Sequence, residues 1–335
     1  MIELPPHNWL VYGHDWAVNQ FRKSLQHNRL RHAYLISGTD SIGKRTLAYS
    51  LAMAINAPHA QQVGNIDYEK RASKLIMSGN HPDIVVAEHD SKTGALKIEA
   101  VREVTNKLAL KPFEATYRIA IMNDFEQARP QAQDALLKTL EEPTERAILI
   151  LLVNNPDKIL ATINSRCQII NLRPLSLEDT RHTLIHYYTL PPDQADLLAR
   201  ICGGRIGWAI QAHRDPSILE QRTDALNLLE DILRGKRAKR FASVEGISKD
   251  KPLTLVVLQL WMSYWRDLMI VTQGVHLPIT NIDRQAMLTD LARSVVVERL
   301  QEAILATRDT AQSIRDTNVN VRLALENLTL RYPYL

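Results

Sequence analysis

Four short, strongly apolar runs, separated by segments with helical spacing, characterise the first half of the chain. The runs occupy 33–36, 84–86, 117–122 and 148–153, and the third contains one charged residue, Arg118. They are too continuously apolar for strands with one solvated face, and such strands alternating with helices are typical of a parallel sheet covered on both faces. The segment 44–55 is predicted to be one of these helices, because Leu47, Leu51 and Ile55 fall on one helical face.

Beyond residue 173 every sizeable segment has helical periodicity. Ser176 to Asp179 has the pattern of a capping box, which predicts a helix start there. Further helices are predicted over 195–201, 218–233, 253–272, 286–293, 297–314 and 319–330. The glycine pair at 203–204 and the stretch 234–240 are the expected breaks.

These patterns predict a fold class and three domains. An α/β P-loop-type core with a parallel sheet is expected over 1–172, followed by a small helical domain over 173–213 and an all-α bundle over 214–335. A chain of 335 residues exceeds what one hydrophobic core usually holds, which agrees with several domains.

Composition narrows the class of protein only a little. Apolar residues make up 45% and charged residues 23%, as in ordinary globular proteins, and the net charge of +4 permits a polyanionic partner without requiring one. Two cysteines, Cys167 and Cys202, cannot build a disulfide framework. The most apolar run, 253–271, contains Arg266 and Asp267 and is expected to be a buried helix rather than a membrane span. A cytoplasmic protein without a signal peptide is expected.

The turn after the first predicted strand matches a phosphate-binding loop through its lysine. The loop runs from Gly38 to Gly43 and Lys44, between a buried strand and a helix start. Glycines allow backbone N–H groups to converge on phosphate, and the lysine adds a point charge. The alternative is a chance glycine-lysine turn.

The positions that would hold magnesium are altered. The residue after the lysine, normally Ser or Thr, is Arg45, which has no acceptor oxygen. Thr46 follows about 100° further around the helix and cannot simply replace it. Weak binding of ATP or ADP without hydrolysis therefore stays open.

The acidic strand end shows a second defect. Aligning Asn123 with the metal-binding aspartate and Asp124 with the water-orienting glutamate leaves a weaker ligand and a shorter acid. A register shifted by one residue makes Asp124 the metal ligand but places Phe125 at the base position. That register therefore also lacks a complete acidic pair for hydrolysis. The chain alone is therefore not expected to be a competent ATPase, and no metal site is predicted.

Three sequence blocks together resemble the AAA+ subunits of bacterial DNA polymerase III clamp loaders. They are Asn-Asp-Phe-Glu at 123–126, Ala-Leu-Leu-Lys-Thr-Leu-Glu-Glu-Pro at 135–143, and Thr-Ile-Asn-Ser-Arg-Cys-Gln at 162–168. Weaker matches occur at 32–35, in the loop ending at Lys44, at 81–83 and at 98–102. The resemblance spans about residues 10 to 175. It implies an AAA+ core, a helical lid and a helical collar domain that mediates oligomerisation.

The resemblance also implies a role for the Ser-Arg-Cys segment. In that family this segment supplies an arginine finger, so Arg166, with its motif neighbours Ser165 and Cys167, is expected to reach a neighbouring subunit's ATP site. The alternative for Arg166 is an ordinary surface or salt-bridged arginine. Cys167 is better explained as a buried thiol than as a nucleophile, since no histidine lies nearby in sequence.

The altered site distinguishes two kinds of subunit in that family. The motor subunits, tau and gamma, keep intact magnesium positions and a lid arginine, where this chain has Ile206, with Arg205 adjacent. The resemblance thus implies a non-motor subunit that acts with tau/gamma motors and the delta subunit, and through them with the sliding clamp and primer-template DNA. The alternative is an ATP-hydrolysing motor subunit or another AAA+ ATPase.

Two further segments carry expectations. Relatives usually have a four-cysteine zinc module where this chain has the cysteine-free stretch 56–80, so no zinc is predicted, and an altered local fold with a helix near 68–77 is expected. The basic run 234–240 is interpreted as a solvated loop between helices, with phosphate contact as the alternative.

Overall fold

The computed structural model describes residues 7–90 and 94–334. The strands are β1 Ala33–Ser37, β2 Pro58–His59, β3 Gln62–Ile66, β4 Ile84–Val86, β5 Arg118–Met122, β6 Ala147–Val153 and β7 Gln168–Asn171. The helices of the first half are α1 Asp15–Gln26, α2 Lys44–Asn56, α3 Arg71–Met77, α4 Ile98–Leu108, α5 Pro130–Asp134, α6 Leu137–Glu141, α7 Ala161–Asn164 and α8 Leu177–Tyr188. They are followed by α9 Pro192–Cys202, α10 Ile206–Arg214, α11 Ser217–Arg234, α12 Arg237–Glu245, α13 Lys251–Thr272, α14 Gln285–Ala292, α15 Val297–Asp316 and α16 Val321–Arg331.

Five strands form a parallel sheet in the order β4-β5-β6-β1-β7. Alternate residues of one strand pack into two different hydrophobic cores. Tyr34 and Ile36 of β1 belong to one cluster, and Ala33 and Leu35 belong to the other. Because both faces are covered, every residue of β1, β5 and β6 is buried. The predicted fold class, a parallel α/β core followed by an all-helical region, is confirmed by this sheet and by the helices that follow it.

The segment that replaces the zinc module forms a hairpin and a short helix. Strands β2 and β3 pair antiparallel, and α3 occupies the last seven residues, 71–77, of the helix expected near 68–77. The hairpin is tied to the N-terminal segment, because Trp9 donates its indole N–H to the carbonyl of Gly64 at 2.7 Å and Asn8 exchanges two hydrogen bonds with Ile66. Direct hydrogen bonds therefore hold this segment in place.

A buried carboxylate anchors the loop before β5. Asp83 accepts hydrogen bonds from the backbone N–H groups of Phe113, Glu114 and Ala115, and from Arg118 at 2.7 Å. Burial alone would raise the pKa of Asp83, but the backbone donors and the guanidinium lower it to about 2. The His-Pro-Asp segment is thus explained by a structural role for its aspartate.

The chain divides into two compact units. One comprises the residues up to Pro191 together with Gly204–Trp208, and the other comprises Pro192–Gly203 and the residues from Ala209 onward. The boundaries predicted at 172 and 213 for a three-domain organisation stay a prediction.

The second unit is built around α13. Trp261, Tyr264, Trp265 and Leu268 on this helix are fully buried, and α13 packs against α11, α14 and α15. The aromatic stripe is therefore core. Over 7–90 and 94–334, no helix is both long and apolar enough to cross a membrane.

The interpretation of 234–240 as a solvated loop is wrong for part of the run. Helix α12 begins at Arg237, and Arg240 is fully buried. Its guanidinium donates to five backbone carbonyls, those of Leu233, Gly235, Thr329, Tyr332 and Pro333. A charge that the basic run assigned to solvent instead joins two helix ends and the C-terminal tail, because unpaired carbonyls there require donors.

We expect Asp83→Asn to lower the free energy of unfolding by about 3 kcal/mol at pH 7, because removing one partner of a buried pair leaves Arg118 uncompensated. Since the folded pKa is depressed, the carboxylate's contribution is complete above about pH 4 and is lost as the pH falls towards 2. The difference between the two proteins should therefore shrink over that window in urea denaturation followed by circular dichroism.

Glu103→Gln is the matched control. Glu103 pairs with Lys107 on the exposed face of α4 at 2.6 Å, and such surface pairs contribute about 0–1 kcal/mol. Equal effects of the two substitutions, or a difference that persists unchanged at pH 2, would contradict the anchoring role of Asp83.

Candidate nucleotide site and exposed arginine

The phosphate loop joins the carboxyl end of β1 to the first turn of α2. Gly43 precedes the helix at φ 109°, a left-handed conformation that favours glycine. A Cβ on Gly38 would lie 2.7 Å from the carbonyl oxygen of Leu172, so this position also requires glycine. The two glycines predicted to shape the loop have this role in the structure.

Lys44 is buried and fully engaged by protein acceptors. Its Nζ donates to the carbonyls of Gly38 at 2.8 Å and Thr39 at 3.0 Å, and to Oδ1 of Asn154 at 2.5 Å. Burial lowers the pKa of Lys44, while the nearby carboxylates, Asp40 foremost, act in the opposite direction. An ammonium has three hydrogens, so a phosphate would have to displace at least one of these acceptors.

Asn154 was missed by sequence reasoning. It directly follows β6; its Nδ2 donates to Oδ1 of Asp124 at 3.1 Å and its backbone N–H donates to Oε1 of Glu126 at 3.0 Å. Together with the bond from Lys44, these contacts link the loop to the acidic segment. A polar residue directly after an apolar strand was the available signal, but only the observed strand order places it beside β1.

The altered magnesium positions line one cavity of about 410 Å³ with the loop. Its walls are formed by Asp40, Ser41, Gly43, Lys44, Arg45, Thr46, His89, Asn123, Asp124, Leu152 and Gly207. Arg45 is exposed there, and its guanidinium lies 5.3 Å from the ring centroid of Tyr49. The structure thus brings Thr46, Asn123 and Asp124 to the loop, as predicted for a P-loop site, with a cation where a hydroxyl is needed.

Protein groups also hold the loop's carbonyls. His14 is buried and its Nε2 donates to the carbonyl of Ile42 at 3.1 Å, while Gly207 donates its N–H to Ser41 at 2.8 Å. Burial lowers the pKa of His14, so the ring is neutral and a single tautomer serves this bond. Gly207 lines the cavity, whereas Arg205 and Ile206 do not, and Ile206 is buried.

Arg166 lies at the opposite end of the sheet from this cavity. It precedes β7, which pairs parallel with β1, so it belongs to the amino end of the strands and the loop to the carboxyl end. Four paired residues at about 3.3 Å each separate the two ends by roughly 13 Å or more. Arg166 therefore cannot complete the site of its own chain.

The guanidinium of Arg166 is exposed. It donates to Oε1 of Glu141 at 2.8 Å, to the carbonyl of Thr162 at 2.9 Å and to Oγ of Ser165 at 3.5 Å. Ser165 is exposed and also bonds the carbonyl of Thr162. Burial raises the pKa of the Cys167 thiol to about 12, so it is not a thiolate at neutral pH.

Nothing in the described ranges, 7–90 and 94–334, groups three or more His, Cys, Asp or Glu side chains in a way that could hold a metal ion. The absence of zinc stays a prediction.

Two sequence profiles match the chain. Residues 13–176 match a family described as "DNA polymerase III, delta subunit", and residues 216–332 match "DNA polymerase III, delta subunit, C terminal". The chain is 27% identical over 313 residues to the DNA polymerase III subunit delta' of Bacillus subtilis, covering 92% of each protein. It is also 27% identical over 325 residues to the subunit delta' of Escherichia coli, covering 95% of this chain and 94% of that protein.

A tau-subunit relative matches over a shorter region. The DNA polymerase III subunit tau of Bacillus subtilis is 33% identical over 166 residues, which is 50% of this chain and 29% of that protein. A solved gamma-subunit-related protein from Thermotoga maritima aligns with 94% of this chain and 97% of its own length at 16% identity and a TM-score of 0.47, too distant to bear on function. Nearly full-length similarity is thus found with the delta' subunits, and the chain belongs to the DNA polymerase III delta' (delta-prime) family.

Proposed function

We propose that this chain is a non-motor clamp-loader subunit that lends Arg166 to the ATP site of a neighbouring tau/gamma motor subunit during loading of the sliding clamp onto primed DNA. The observation that carries the proposal is the position of Arg166. The side chain is exposed at the amino end of β7, away from the chain's own phosphate loop, where only another subunit's nucleotide can use it.

The ion pair with Glu141 is compatible with such a role. Exposed pairs of this kind contribute about 0–1 kcal/mol, so turning the guanidinium towards a neighbour's phosphate costs little. The gain is much larger, since an arginine finger supplied in trans is worth roughly 10³- to 10⁵-fold in rate. We interpret Glu141 as a resting partner that keeps Arg166 near its working position.

The chain's own site supports a non-motor role. Arg45 replaces the magnesium-binding hydroxyl, Asn123 is a neutral ligand, and Lys44 is already satisfied by protein oxygens. Any nucleotide would bind weakly and without productive magnesium. This arrangement disfavours the alternative of an ATP-hydrolysing motor subunit.

The family membership supports the choice of partners. In this proposal the chain assembles with tau/gamma motors and a delta subunit, reaches the clamp and the primer-template through that complex, and acts in the cytoplasm. The all-helical second unit is the candidate oligomerisation domain.

We expect Arg166→Ala to lower turnover at the neighbouring motor site by roughly 10³- to 10⁵-fold. The DNA- and clamp-stimulated ATPase of the reconstituted clamp loader should therefore fall by the share of that site, because the remaining sites retain their turnover. Steady-state ATPase and clamp-loading assays measure this. Arg71→Ala, an exposed arginine of α3, is the control and should leave both activities intact.

Glu141→Gln tests the resting contact separately. It frees the guanidinium without removing it, so ATPase should be unchanged or slightly faster.

Full ATPase and loading by Arg166→Ala would refute the finger role, as would a loss explained by failed assembly, which gel filtration of the complex detects.

The isolated chain should bind ATP weakly or not at all in calorimetry, with the same result with and without Mg²⁺, because Arg45 stands where the metal-binding hydroxyl is needed and Asn123 is only a neutral ligand. Lys44→Ala should not change its negligible hydrolysis. Binding that tightens strongly with Mg²⁺, or brisk turnover abolished by Lys44→Ala, would favour a motor ATPase instead.

A further inference from the structure

A cluster of exposed cations surrounds the turn between α11 and α12 in the second unit. Arg234, Lys236, Arg237 and Lys239 fall within six residues, and all four are exposed. A Cβ on Gly235 would be in van der Waals contact with Cβ of Lys239, at 3.5 Å, so the end of α11 and the start of α12 pack together here. Four like charges within six residues repel one another unless anions join them.

The cluster lacks the carboxylate partners that other exposed arginines of this unit have. Arg293, Arg299 and Arg308 each pair with an acidic neighbour, at 3.4, 2.9 and 2.9 Å. Within the part of the chain that the structure describes, Lys236 and Lys239 form no such pair. The surface therefore carries uncompensated positive charge.

Aromatic rings lie beside these cations. The guanidinium of Arg237 is 5.5 Å from the ring centroid of Phe241, one helical turn away on α12. The ring of Tyr334 is 60% exposed and lies 3.6 Å from the guanidinium carbon of the buried Arg240, which also holds the carbonyls of Tyr332 and Pro333. The tail that carries Tyr334 is thus fixed next to the basic turn.

We propose that this surface, formed by Arg234, Lys236, Arg237, Lys239 and Tyr334, binds single-stranded DNA. Uncompensated lysines and arginines attract phosphates, and exposed aromatic rings stack with bases that a duplex keeps inside its helix. An acidic peptide would satisfy the cations but would leave Tyr334 without a stacking partner. The inference concerns the second unit and does not depend on the role proposed for Arg166.

The test is fluorescence anisotropy of the full chain with a labelled oligothymidylate of roughly 30 nucleotides, longer than the ~16-nucleotide upper site size of single-strand-binding folds. The triple variant Lys236→Ala, Arg237→Ala, Lys239→Ala removes three of the exposed cations. Each phosphate contact contributes about −0.7 to the slope of log affinity against log salt, so the slope should weaken by about 2. Binding should then be on the order of 100-fold weaker at 0.1 M salt and similar near 1 M.

The control variant Arg293→Ala, Arg299→Ala, Arg308→Ala changes the net charge equally but removes arginines that already have acidic partners. It should lose far less affinity. Tyr334→Ala should weaken binding severalfold at every salt concentration, and Tyr334→Phe should restore it, because stacking needs the ring and not the hydroxyl.

Three outcomes would overturn the proposal. They are equal loss in the two triple variants, tighter binding of a duplex of the same length than of the single strand, and displacement of the oligonucleotide by a polyglutamate peptide of equal charge. All variants alter exposed residues, and circular dichroism checks that each is folded. A failed Arg166 experiment would leave these results unaffected.

Discussion

The parallel pairing of β1 with β7 places the phosphate loop and Arg166 at opposite ends of the strands. This separation determines which phosphate each of them can reach. In a parallel sheet all carboxyl ends lie at one edge, so the phosphate loop after β1 meets the acidic segment after β5 and Asn154 after β6. The same pairing places Arg166, which precedes β7, at the amino ends of the strands, opposite the phosphate loop. An arginine placed there is useful to phosphate chemistry only if the phosphate belongs to another molecule.

The phosphate loop is internally satisfied. The buried ammonium of Lys44 needs compensation. Backbone carbonyls and Asn154 supply it, and Asn154 in turn is tied to Asp124. The lysine and both glycines therefore contribute to the shape of the α/β core through contacts within the protein.

Among the strands, the sequence predicted those that are buried along nearly their whole length and missed those that are partly exposed. Strands β1, β4, β5 and β6 were found within one residue at each end, because continuous apolar runs leave few alternatives. Strand β7 was missed because Gln168 and Asn171 interrupt the pattern on an edge strand, where one side needs no apolar cover. The β2–β3 hairpin was missed because it is held by side-chain to backbone hydrogen bonds, which leave no periodic signal.

Sequence reasoning failed for Arg240, whose role depends on contacts distant in sequence. Its basic surroundings indicated a solvated loop, but the side chain is buried. Arg240 is surrounded by carbonyls of two helix ends and the tail, so its charge is neutralised by fixed dipoles and stabilises the fold. Arg166 has one exposed carboxylate and one carbonyl, contacts that solvent can replace. The two arginines differ in how far they are removed from solvent and not in residue type. This difference makes Arg240 structural and leaves Arg166 available to a partner.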